Sequence, residues 1–93
     1  MNSIRFRYRE KFHYIQVGID EANHTLYVEI VPKLTDSILA GELERILSET
    51  LQESILNTWI SVHTKQDAIE AMRKRLDEEI ITNTYLRNAI MIY

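Results

Sequence analysis

The residues with the clearest chemical pattern open the chain, where Ile4-Arg5-Phe6-Arg7-Tyr8-Arg9 alternates apolar and cationic side chains. In an extended strand this alternation sends the arginines to one face, with Arg5, Arg7 and Arg9 about 7 Å apart, comparable with successive phosphates along a single nucleic-acid strand. Phe12, Tyr14 and Tyr27 fall on the same expected face. Guanidinium groups interleaved with aromatic rings suit an anionic ligand that also stacks, such as a nucleotide or single-stranded nucleic acid. The competing reading is structural: an edge strand whose positive charge prevents edge-to-edge aggregation, or arginines that pair with acids of another subunit.

Other candidates carry less chemistry. Arg73-Lys74-Arg75 is followed by Asp77-Glu78-Glu79, so each cation has an acid four residues on, the spacing of a solvated helix face. A ligand role there would fall to Arg73 and Arg87, near Tyr85. His13, His24 and His63 lack the His-x-x-x-His spacing of a helical metal site, and the chain has no cysteine to supply a thiolate ligand, a disulfide or a nucleophile. No serine stands in a Gly-x-Ser-x-Gly elbow, and Gly18 and Gly41 are isolated, so no glycine-rich loop can cradle phosphates. No catalytic residue, metal or cofactor is expected, and the chain reads as a non-enzymatic binding protein.

The elements that must position these residues follow from periodicity. Apolar parity shifts from Ile4, Phe6 and Tyr8 to Ile15, Val17 and Ile19, which requires a turn or a bulge between them. A two-residue turn at Glu10-Lys11 opposes Phe6 with Ile15 and Ile4 with Val17 and brings both sets to one side; a bulge in one long bent strand is the alternative. After the polar stretch Asp20 to His24, a third strand over Leu26 to Val31 sets Ile19 against Leu26, Val17 against Val28 and Ile15 against Ile30. Pro32 then separates a β-meander, residues 1–32, from a helical hairpin, residues 34–93, within one domain spanning 1–93.

Thr35-Asp36-Ser37 can cap a first helix whose apolar stripe runs Leu39, Leu43, Ile46, Leu47, Leu51, Ile55, Trp59 and Val62. Thr64-Lys65-Gln66-Asp67 resembles a capping box for a second helix, with Ile69, Met72, Leu76 and Ile80 as its stripe, extended less clearly to Leu86 and Ile90. The final Asn88 to Tyr93 is apolar enough to pack on the body or a neighbour, or to form a short strand. Each helix would be about 40 Å long against strands of about 20 Å, so the sheet alone could not cover them. The expected fold is therefore α+β, a three-stranded antiparallel meander followed by two long amphipathic helices packed as an intertwined homo-oligomer, a dimer or higher. Leu47, Leu51, Ile55, Trp59, Leu76 and Ile80 are its expected interface. A break of the first helix near Ser48 or Gln52 would remove the need for a second subunit.

At 93 residues, 45% hydrophobic and 27% charged, the chain has the composition of an ordinary folded domain with room for one core. The net charge of −3 is unevenly spread: residues 1–33 hold five Lys/Arg against four acids, the remainder six against ten. That balance argues against bulk nucleic-acid binding. No apolar run approaches the roughly 20 residues of a membrane span and no secretory h-region opens the chain, so the expectation is a cytoplasmic protein without membrane contact. The expected function is stoichiometric regulation or inhibition of another protein by occlusion or sequestration, of the kind carried by phages or mobile elements. The alternative is binding of a nucleotide or single-stranded nucleic acid on the Arg/aromatic face.

Overall fold

The computed structural model describes residues 2–53 and 62–93 and shows an α+β domain of two layers. Three strands come first: β1 (Ser3–Tyr8), β2 (Lys11–Asp20) and β3 (Thr25–Val31). They are followed by helices α1 (Ser37–Glu53), α2 (Val62–Thr82) and α3 (Thr84–Ala89) and a last strand, β4 (Ile90–Ile92). All strand pairs are antiparallel, in the order β3-β2-β1-β4. Against one side of this sheet α1 packs on β3, and α2 on β2 and β1.

Period-two alternation divides the sheet as the sequence implies. Ile4, Phe6, Tyr8, Ile15, Val17 and Leu26 are buried under the helices, with Ile19, Val28 and Ile30 partly covered, while Arg5, Arg7, Phe12, Tyr14, Tyr27 and Glu29 face outward. The β2–β3 register is the expected one, with Ile15 opposite Ile30, Val17 opposite Val28 and Ile19 opposite Leu26.

The first hairpin differs. Its turn is Arg9-Glu10, one residue earlier than expected, because Tyr8 pairs with Lys11, Phe6 with His13 and Ile4 with Ile15. Arg9 takes the left-handed conformation the turn requires, with φ 57°. Moving the pairing by two residues leaves the paired side chains on their expected faces, and His13 is buried in the core. The imidazole stacks on Phe6 at 5.3 Å between centroids, and its Nδ1–H donates to the Pro32 carbonyl at 2.7 Å.

Asp36 caps α1, its carboxylate accepting from the backbone N–H groups of Ile38 and Leu39 at 3.0 and 3.1 Å. The helix passes through Ser48 and Gln52 without a break, and Val62, read as the end of its stripe, belongs to α2. The two helices are tied by Arg75, which reaches Glu49 across the gap and Glu79 on its own helix.

Two expectations are corrected. The second helix does not run to the C-terminal tail. Asn83 turns extended, accepts from the N–H groups of Tyr85 and Leu86, and so starts the short α3. The tail then becomes a fourth strand, Ile90 and Ile92 pairing with Tyr8 and Phe6. The second concerns length: β2, with ten residues and about 33 Å, is as long as α2, with 21 residues and about 32 Å. Leu47, Leu51 and Leu76, expected between subunits, are accordingly buried in the core of a single chain, with Ile80 partly buried against it. Ile55 and Trp59 lie outside the described residues.

Candidate functional site

Among the described residues the helices lie on one side only, and the other side of the sheet is left open. Phe12, Tyr14, Tyr27 and Tyr93 are 41, 39, 48 and 42% exposed there, and Met91 is 61% exposed. β-pairing places them in rows across the strands: Val31, Tyr14 and Arg5 in one, Phe12, Arg7 and Met91 in the next. Tyr93 closes the first row by donating its backbone N–H to the Arg5 carbonyl at 3.0 Å.

Arg5 is the centre of this surface. Its guanidinium carbon lies 5.0 Å from the Phe12 ring centroid and 5.3 Å from that of Tyr93, and those two rings meet edge to face at 5.4 Å. The arrangement holds a flexible cation against two aromatic faces, which fixes its position and leaves its N–H donors for a ligand. Beside it, Arg7 donates from Nε to the Arg9 carbonyl at 3.0 Å and so braces the turn.

Of the six expected ligand-binding residues, the structure gathers Arg5, Arg7, Phe12, Tyr14 and Tyr27 on one face. Arg9 leaves the row because it opens the turn, and its guanidinium stacks over the Tyr8 ring at 5.1 Å. There it lines a depression of about 350 Å³ with Arg7 and Arg87, beside β4. Met91 and Tyr93 join the face through a pairing that local periodicity did not reveal, although the apolar tail was a signal that it packs.

A second cluster lies at the junction of β1, α1 and α3. The hydroxyls of Tyr8 and Tyr85 both donate to Asp36 Oδ2, at 3.1 and 3.2 Å. The Leu39 backbone N–H leads in holding the Asp36 carboxyl below its usual range, with the Tyr8 hydroxyl, the Ile38 N–H and the Tyr85 hydroxyl adding to it. Burial and the neighbouring carboxylate push both phenols up. Phenols held protonated as donors are poor bases and poor nucleophiles. The cluster is a clamp that fastens β1 and α3 to the start of α1.

Among the described residues no group of three or more His, Asp or Glu is placed to hold a metal ion, and no helix is long and apolar enough to cross a membrane. No family model, curated protein or solved structure matches the chain.

Proposed function

We propose that this chain is a non-enzymatic, stoichiometric regulator that docks a partner protein on the open face of its sheet and acts by occluding it. The observation that supports the reading is the Arg5 guanidinium held between Phe12 and Tyr93 in the middle of an exposed patch of Tyr, Met and Arg. All three residue types are enriched at protein interfaces, and Tyr and Arg are also enriched among the side chains that dominate binding energy, Tyr because it buries a large area with few rotors to freeze. The matching partner surface is apolar with carboxylates at its margin, where Arg5 and Arg7 would find them. The test is capture with immobilised protein, comparing the wild type with Tyr14→Ala/Tyr27→Ala, both exposed positions. A specific partner retained by the first and lost by the second supports the docking face, and a partner retained equally by both overturns it.

A second reading, binding of a nucleotide or single-stranded nucleic acid, is favoured by the placement of Arg5 and Arg7 two residues apart beside stacking rings. Two cations neutralise two phosphates, which gives a slope of log affinity on log salt of only about −1.4, a weak electrostatic contribution for a chain of net charge −3. Polarisation of a labelled oligonucleotide, repeated across salt concentrations, tests it. Absence of binding at low salt, or affinity unchanged in Arg5→Ala/Arg7→Ala, removes this reading.

A further inference from the structure

The two edges of the sheet are unlike. One is β4, three residues long; the other is β3, seven residues from Thr25 to Val31, paired with β2 in an unbroken register. Soluble proteins blunt such edges with short strands, bulges, lysine or proline. Within β3 there is no lysine, proline or bulge, and among the described residues nothing pairs with its outer side. The face beneath that edge is also unfinished. Val28 and Ile30 are only partly buried, whereas Ile4, Phe6, Ile15 and Val17 on the neighbouring strands are buried. A groove of about 320 Å³ runs between β3 and α1, lined by Val28, Ile30, Leu34 and Leu47 with Lys33 and Glu44.

We propose that this edge takes β3 of a second copy of the chain, joining two four-stranded sheets into one. Strand addition satisfies the row of free backbone groups and carries apolar side chains into the adjoining groove. The sequence of β3 is self-complementary in the antiparallel sense. A two-fold axis at Val28 overlaps all seven residues and sets Leu26 opposite Ile30 of the other copy, so the inner face stays apolar throughout. Glu29, the only charge in the strand, then meets Tyr27 rather than its own counterpart. The same register sets Lys33, just beyond one strand, opposite Asn23 in the turn of the other copy, two positions from Glu21. Opposite charges thus flank the joint at both ends.

Pairing deepens the docking reading and rests on it for its consequence. Four strands present roughly 400 Å² of flat face, half of the roughly 800 Å² that each side of a standard interface buries. Two sheets joined through β3 present the full area, with both Arg5 clusters on the same side.

The chain has no cysteine, so single-cysteine variants report on this joint without interference. Light scattering on the wild type alone, at high-micromolar concentration, is expected to give about 22 kDa, twice the 11.0 kDa of one chain. Under mild oxidation a mixture of Tyr27→Cys and Glu29→Cys is expected to cross-link to each other several-fold more than either does alone, and more than Glu78→Cys on α2. All three positions are exposed, so unchanged circular dichroism is expected of each variant. A mass of one chain overturns the pairing and leaves docking on the open face standing. A mass of two chains with no preference for the mixed cross-link also overturns it, since association would then use another surface. Loss of partner capture by Tyr14→Ala/Tyr27→Ala has no bearing on either measurement.

Discussion

The phenol of Tyr27 lies across Gly18 on the neighbouring strand, so close that a Cβ built on Gly18 would collide with the ring. The glycine is there for that approach and not for its backbone, since its φ is not positive. A ring covering a strand glycine replaces packing that the missing side chain cannot supply. In Gly18→Ala the exposed ring must swing away. Relief of the glycine's strand penalty, about 0.5–1 kcal/mol, then offsets the lost cross-strand contact of about 0.2–1 kcal/mol. Thermal unfolding is therefore expected to move little while partner capture weakens. In the wild type the Gly18 Hα resonances are expected upfield under the ring current, and Tyr27→Ala should return them to ordinary positions.

The clamp at Asp36 sets an acid limit on stability. Its carboxyl is held below the usual 3.8 by the bonds described above, so the folded state binds that proton less tightly than the unfolded state does. The contribution is therefore fully present above the unfolded pKa and is lost as pH falls through the folded one. Asp20, bonded by the Asn23 side chain and N–H, acts in the same direction. Melting temperature should be flat above about pH 5 and fall below pH 4. Asp36→Asn keeps the cap oxygen but removes the titration, so it should flatten the acid limb; Asp36→Ala should lower the melting temperature at every pH. An acid limb as steep in Asp36→Asn as in the wild type would contradict this assignment.

Leu47 and Leu76 are fully buried within one chain. Truncating either to alanine is expected to cost about 2–5 kcal/mol in urea unfolding, the range for a core leucine whose cavity only partly collapses. Had they served only an interface between subunits, the loss would vanish on dilution to a monomer. Measuring both variants across a wide range of protein concentration separates the two.

These residues also show which parts of the fold were legible in the sequence. Parity placed Ile4, Phe6, Ile15 and Val17 inside and Arg5, Tyr14 and Tyr27 outside, and it does so whether the hairpin turns at Glu10-Lys11 or at Arg9-Glu10, because the two registers differ by an even step. Neither dipeptide is a favoured turn, so the register itself left no local signal. The start of α1 was readable because Asp36 caps it, whereas Thr64, read as the cap of the second helix, lies inside α2, and Asn83 is a capping signal inside a continuous stripe. β4 pairs with residues more than eighty positions away, and Tyr85 reaches Asp36 across 49; contacts at that range carry no periodicity. Leu47, Leu51 and Leu76 read as a subunit interface for a related reason: an apolar helix stripe looks the same whether its own sheet or a neighbour covers it. The open face was legible in five of its residues. Its completion by Met91 and Tyr93, and the departure of Arg9, depended on the chain's long-range closure.

The central claim is that partners meet this molecule on the open side of its sheet, and hydroxyl-radical footprinting reads that side chain by side chain. With captured partner bound, oxidation of Phe12, Tyr14, Tyr27, Met91 and Tyr93 is expected to fall several-fold, while that of Ile38, Ile81 and Tyr85, exposed on the helices, stays at the level of the free protein. Protection confined to the helix residues, with the sheet aromatics still fully reactive, would contradict the account.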